Sequence, residues 1–251
     1  MVLAVLGMAL FVVPLLGLVA RTPWNRVGEL LTSPVVGDAL RLSLTTSLAA
    51  SAIAAVLGVP LAWLLARAEF PGRSIIRGLV TLPLVLPPVV GGAALLFALG
   101  RRGLLGEPIY EASGFLLPFS LWGVVVANTF VAMPFLVITV EGALRNLDPR
   151  YEGAAATLGA GRWTVLRRVT LPLIAPSLAA GMVLTWARAF GEFGATITFA
   201  GNLQGRTQTL PLAVFVALEN NRDAAVAISL MMVVIALSVL VLLRDRWWKA
   251  L

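Results

Sequence analysis

Few residue types in this chain can do chemistry. It has no histidine and no cysteine. That excludes Ser-His-Asp and Cys-His nucleophiles, disulfides, and His-based metal or proton relays. It has no G-x-x-x-x-G-K-[ST] phosphate loop. Nearly every acid lies in a polar stretch, with Glu141 and Glu192 near the ends of apolar runs. A carrier driven by protons or sodium needs a buried titratable site, and that demand is poorly met. Arg188 and Glu192 are four residues apart, so a continuous helix would bring them face to face. Ser43, Thr46, Ser47 and Ser51 recur at near-helical spacing within an apolar run. Such hydroxyls either line a polar path or bond across packed helices. None of these residues supplies an energy-coupling chemistry, so any work done by the chain would draw its free energy from a partner.

The longest ordered polar stretch is residues 141–176, EGALRNLDPRYEGAAATLGAGRWTVLRRVTLPLIAP. Arg145, Asp148, Arg150, Glu152, Arg162, Arg167 and Arg168 keep it out of hydrocarbon. Asp148-Pro149 predicts a helix start, an N-cap followed by proline at the first helical position. Ala154, Ala155, Ala156 and Leu158 favour helix, and Gly159 and Gly161 break it. Trp163, Val165, Leu166 and Val169 predict a second short helix with one apolar face, and Pro172 ends the segment and opens the next apolar run. A helix–Gly–helix at a membrane surface would offer small apolar residues to another protein.

The elements around it are apolar. The chain is 59% hydrophobic and 12% charged, with mean hydropathy +0.95, too few charges for an ordinary soluble domain. Its net charge of +7 is dispersed, without the basic, aromatic-laced runs of a nucleic-acid binder. Six membrane-crossing helices are expected at about 2–20, 38–66, 78–99, 115–140, 171–190 and 224–243, in one transmembrane domain spanning 1–251. The first is read as a retained helix because no Lys or Arg precedes it. Pro60 is a candidate kink in the second. Pro83, Pro87, Pro88, Gly91 and Gly92 make the third either a broken helix at a transport site or a kinked packing helix. Residues 21–37 and 100–114 read as loops, and 191–210 as no single clean helix. Residues 211–219 are too short to cross.

Six spans put the loops 67–77 and 141–170 on one side with both termini. Arg67, Arg73, Arg77, Arg145, Arg150, Arg162, Arg167, Arg168, Arg244, Arg246 and Lys249 lie on that side. Fewer basic residues (Arg21, Arg26, Arg41, Arg101, Arg102, Arg206 and Arg222) lie opposite. This bias makes the side of 141–176 and both termini cytoplasmic. The tail, with Trp247 and Trp248, reads as an interfacial anchor.

Gly159, then nine residues, then Val169-Thr170-Leu171-Pro172 resembles the EAA signature of ABC importer permeases. Ala154-Ala155 fit its alanines. The consensus acid falls on Gly153, whereas the glutamate here is Glu152. The resemblance implies that this segment docks on a cytoplasmic ATPase through Glu152, Ala154, Ala155, Leu158, Gly159, Ala160 and Pro172. The stretch 191–211, GEFGATITFAGN through GRTQTLP, resembles molybdate ABC permeases, as do LPLVLPPVVGG at 82–92 and DALRLSL at 38–44. Sulfate permeases share G-E-F-G but lack the T-x-T-L-P continuation. An all-α integral membrane protein of type I importer fold is implied, with a cytoplasmic coupling helix between helices 4 and 5. The resemblance implies no catalytic site and no cofactor or metal on this chain. It further implies a homodimer in the cell inner membrane, an ATPase pair carrying ATP and Mg²⁺, and an extracytoplasmic binding protein. Molybdate and tungstate are not distinguished, and a sulfate or thiosulfate permease, or an ATP-independent anion carrier, stands as the alternative. A dianion path should offer hydroxyls instead of a tight cationic cage. Its candidates are Ser43, Thr46, Ser47, Thr185, Thr196 and Thr198, with Arg188 available if Gly191 unwinds the helix and loosens the pair with Glu192.

Overall fold

The computed structural model describes the backbone of residues 1–247 and the side chains of residues 1–242. The tail side chains expected to anchor and orient the chain, Arg244 through Lys249, lie outside the described residues. The described chain is helical. In order the helices are α1 (Val2–Ala20), α2 (Val27–Leu31), α3 (Pro34–Arg67), α4 (Arg73–Val85), α5 (Pro88–Leu99), α6 (Gly106–Ser113), α7 (Leu121–Asn146), α8 (Pro149–Thr157), α9 (Arg162–Val165), α10 (Leu171–Phe190), α11 (Gly194–Phe199), α12 (Leu210–Asn220) and α13 (Arg222–Trp247). A π-helical turn, Leu166–Thr170, joins α9 to α10.

Among the described residues, five stretches are long and apolar enough to cross a membrane: Val2–Ala20, Pro34–Arg67, Leu121–Asn146, Arg162–Phe190 and Arg222–Leu242. The span expected at 78–99 is instead divided between α4 and α5. Pro87 and Pro88 supply no amide protons, and a residue before proline is pushed out of the helical region. Leu86 (ψ 139°) and Pro87 (ψ 132°) are accordingly extended, and Pro88 starts a new helix. The second short helix expected near Trp163 is present as α9, and it runs without a break through the π turn into α10, which opens at Leu171-Pro172. Proline cannot donate to the carbonyl four residues back, and a wider π turn just before it absorbs that mismatch.

Other boundaries also moved. Residues 21–37 hold α2 and the start of α3, and residues 100–114 hold α6, closed by Gly114 at φ 67°. The fourth span begins at Leu121, later than expected. Phe119 sits at positive φ (57°), and Ser120 caps the helix by accepting the amide proton of Gly123 at 3.1 Å.

Three helices form the centre. The C-terminal halves of α3 and α7 and the N-terminal half of α10 bury Ala62, Leu65, Leu136, Val140, Leu144 and Ile174 together. Hence α3 and α7 run the same way and α10 runs back against both. Ala50, Ala132 and Ala189 meet where the three cross, small residues that let helix backbones approach. The opposite end is filled by Val36, Phe190, Leu210, Ala213 and Ile228. On a third side, Leu95 of α5, Ala127 and Val131 of α7, and Ala195 and Phe199 of α11 form a separate cluster. The long helix α1 has no buried residue.

Candidate functional site

At one end of the bundle the chain leaves α7 and builds a small surface helix. Asp148 caps α8, its Oδ1 accepting the amide proton of Arg150 at 2.9 Å, and Pro149 takes the first helical position. The far end closes as a Schellman motif. Gly159 stands at φ 82°. Its N–H donates to Ala156 O at 3.0 Å, and that of Ala160 donates to Ala155 O at 3.1 Å. This left-handed position is why the break falls on a glycine.

No residue of α8 is buried. Leu158 is 88% exposed and Trp163 66%, and Ala154 and Pro172 are exposed while Ala155 and Ala160 are half-buried. A shallow cleft of about 300 Å³ runs between this helix and the bundle, lined by Trp63, Glu152, Ala156, Ala160, Leu166 and Thr170, among others. Glu152 turns inward. Its carboxylate accepts from Arg67 Nη2 at 3.1 Å and from Thr170 Oγ1 at 2.7 Å. Nearby, Glu141 on α7 accepts from Arg77 Nε of α4 at 2.9 Å. No local pattern signals these pairings, whose partners are 85 and 64 residues apart.

The polar layer lies deeper in the bundle. Asn128 on α7 is its hub. Its Nδ2 donates to Thr46 Oγ1 of α3 at 3.5 Å, and its Oδ1 accepts from Thr196 Oγ1 of α11 at 3.2 Å. Thr46 Oγ1 itself donates to Leu42 O at 2.7 Å. One turn away, Ser43 Oγ accepts the amide proton of Leu210 at 2.7 Å. Ser47 and Ser51 donate back along α3, to Leu44 O and Ser47 O. Ser43, Thr46, Ser47, Ser51, Thr185 and Thr196 are all buried within the subunit. The structure thus brings Thr46 and Thr196 together through Asn128, with Ser43 and Ser47 beside them. Thr185 joins none of them, and among the described residues its hydroxyl has no hydrogen-bond partner. Thr198 is half-buried and donates to Gly194 O at 2.8 Å. Asn128 escaped the sequence analysis; its one signal was a lone amide in the apolar run 115–140.

Arg188 and Glu192 are paired, Nη1 to Oε2 at 2.6 Å, with side-chain exposures of 27% and 1%. Helix α10 ends at Phe190 and Gly191 caps it, yet the pair is not loosened. Glu192 is held from its other side by the amide of Ala195, which donates to Oε1 at 2.6 Å. Beyond it, α11 packs on α5 with almost no gap. A Cβ on Gly92 would lie 2.8 Å from Ala195 O, and one on Gly194 would lie 2.9 Å from Pro88 Cβ. The stretches 82–92 and 191–199 are therefore two halves of one contact.

The family profile described as "Binding-protein-dependent transport system inner membrane component" matches residues 58–250. The Molybdenum transport system permease protein ModB of Mycobacterium tuberculosis is 49% identical over 235 residues, 93% of this chain and 88% of that protein. ModB of Escherichia coli K12 is 42% identical over 84% of this chain and 92% of its own length. The Sulfate transport system permease protein CysT of E. coli K12 is 37% identical over 89% of this chain and 80% of its own length. Among solved structures, a bacterial alginate ABC transporter in complex with alginate pentasaccharide-bound periplasmic protein superimposes with a TM-score of 0.77. That match has 19% identity and covers 96% of this chain and 90% of that one, a likeness of fold. With a profile matched from residue 58 to residue 250 and relatives aligned over most of its length, the chain belongs to the family of binding-protein-dependent transport system inner membrane components.

Proposed function

We propose that this chain is the permease subunit of an ATP-driven importer that passes molybdate through the membrane, with tungstate, of similar size and charge, as a second substrate. The observation that carries the substrate is the 49% identity to a molybdenum permease over 93% of the chain, against 37% to a sulfate permease. Two copies of the chain form the path along their common axis. A binding protein delivers the anion from outside. A pair of cytoplasmic ATPases, holding ATP and Mg²⁺, supplies the energy, and no catalytic group is needed here.

The exposed, capped helix α8 supports ATPase docking, because it presents Ala154, Leu158 and Gly159 outward on a base of packed spans. The pair α4–α5 serves as the sixth crossing, broken at Leu86-Pro87, which keeps both termini and α8 cytoplasmic. The hydroxyls of Ser43, Thr46, Ser47, Thr185 and Thr196 cannot touch an anion while they stay buried in one subunit. In this conformation Thr198 and Arg188, both half-buried, are the path candidates that retain exposure.

The test is uptake. Vesicles holding this chain and its ATPase, with binding protein outside and ATP inside, should accumulate molybdate, and should not do so without ATP. Accumulation of sulfate alone would transfer the reading to a sulfate permease. Transport by the chain without any ATPase would replace it with a carrier.

A further inference from the structure

Helix α8 buries none of its residues. Something must nevertheless make it move with the spans when a partner pushes on it. Among the described residues, the side-chain hydrogen bonds and ion pairs that tie α8 to the spans all converge on Glu152. Arg67 Nη2 lies 3.1 Å from both carboxylate oxygens, and Thr170 Oγ1 donates to one of them at 2.7 Å. Arg67 is the last residue of α3. Thr170 is fully buried in the π turn that opens α10. The guanidinium is itself steadied, its Cζ 5.9 Å from the centre of the Trp63 ring. The neighbouring Gly153 faces open space, with nothing within 4 Å of a Cβ placed there. Position 153 thus points away from the bundle and position 152 into it.

We propose that Glu152 is an internal latch and not a contact to the ATPase. It clamps α8 to the end of α3 and to the start of α10, so a push on α8 reaches both spans at once. Charge-assisted hydrogen bonds are short and directional, and a carboxylate held from two sides cannot swivel. Arg67 and Thr170 are then positioning residues for coupling, although neither touches anion or nucleotide. This rests on α8 being the docking helix, as proposed above.

The experiment uses the whole transporter in vesicles, this chain with its ATPase and binding protein. ATP hydrolysed, molybdate taken up and ATPase retained on co-purification are measured together. Arg67→Gln should retain the ATPase while uptake per ATP falls roughly ten-fold, the effect of losing one charge-assisted hydrogen bond. Arg67→Lys should recover part of the ratio, and Thr170→Val should lower it less. The exchange Arg67→Glu with Glu152→Arg should restore uptake per ATP relative to either reversal alone. Normal uptake per ATP in Arg67→Gln overturns the latch, as does failure of the exchange to restore it. Should Arg67→Gln not fold, the exchanged pair decides alone. A wild-type transporter that does not respond to molybdate would instead overturn the functional reading underneath.

Discussion

The hydroxyl of Ser43 accepts the amide proton of Leu210 at 2.7 Å, across 167 residues of chain. Leu210 starts α12, and Pro211 follows it. Its amide stands just after the non-helical stretch 201–209, where buried Thr207, Gln208 and Thr209 crowd the same region. A buried backbone amide outside a helix needs a protein partner. Ser43 is that partner for Leu210, and Thr207 Oγ1 is the partner for the amide of Leu203 at 2.9 Å. Replacing Ser43 with Ala strands a buried N–H at a cost of about 1–3 kcal/mol. Thermal unfolding in detergent should register the loss, while Ser51→Ala, whose hydroxyl only bonds back to Ser47 O, should change little. An unshifted Ser43→Ala transition would return the hydroxyl to the pool of path candidates.

The contact between α5 and α11 leaves no room for a methyl group at Gly92, 2.8 Å from both Ala195 O and Thr198 Cβ. Overpacking of this kind costs about 1–3 kcal/mol. Gly92→Ala should therefore lower the melting transition, whereas Gly37→Ala, with nothing within 4 Å of its Cβ, should not. Equal behaviour of the two would mean that the close approach is not present in the folded protein.

The broad plan of the fold was legible in the sequence, because long apolar runs bounded by charge leave a membrane helix little alternative. The α8 caps were legible for the same local reason: Asp148-Pro149 and Gly159 carry their conformations in their own chemistry. The break at Leu86-Pro87 was half legible, since prolines announce an interruption without saying whether it bends or divides a helix. Helix α6 and the π turn depended on closure and register, which no single residue type marks. Partners distant in the chain were not legible at all. Glu152 with Arg67, Glu141 with Arg77, and Asn128 with Thr46 and Thr196 exist only once the spans pack. The pair four residues apart, Arg188 with Glu192, was the exception because helix spacing alone implied it.

Arg188→Gln removes the cation from a carboxylate that is 1% exposed. Breaking a buried pair from one side costs on the order of 3 kcal/mol, so the single variant should be destabilised. Arg188→Gln with Glu192→Gln removes both charges and should recover much of that stability. If uptake recovers with stability, Arg188 acts only as a structural ion. If stability returns and uptake does not, Arg188 is also needed on the path. Unchanged assembly and transport in the single variant would exclude both roles.

Gly159 holds φ 82° at the end of α8. A β-branched residue there meets the left-handed penalty of about 1–2 kcal/mol and reshapes the exposed end that carries Leu158. Gly159→Val should reduce ATPase docking or coupling while anion capture by the binding protein is unaffected. Gly159→Asn, which tolerates this conformation, should keep most activity. Normal stimulation and uptake in the valine variant would sink the docking role of this turn.

The proposed function joins an ATPase to one class of oxyanion. The direct measurement is ATP hydrolysis by the chain with its ATPase partner in lipid, plus the matched binding protein and molybdate, tungstate, sulfate or no anion. Stimulation by molybdate and tungstate, but not by sulfate, is the expected result. Stimulation by sulfate alone would keep the machine and replace its substrate. If no ATPase associates with the chain and it moves anions down a gradient unaided, the chain is a carrier and not an ATPase-driven permease.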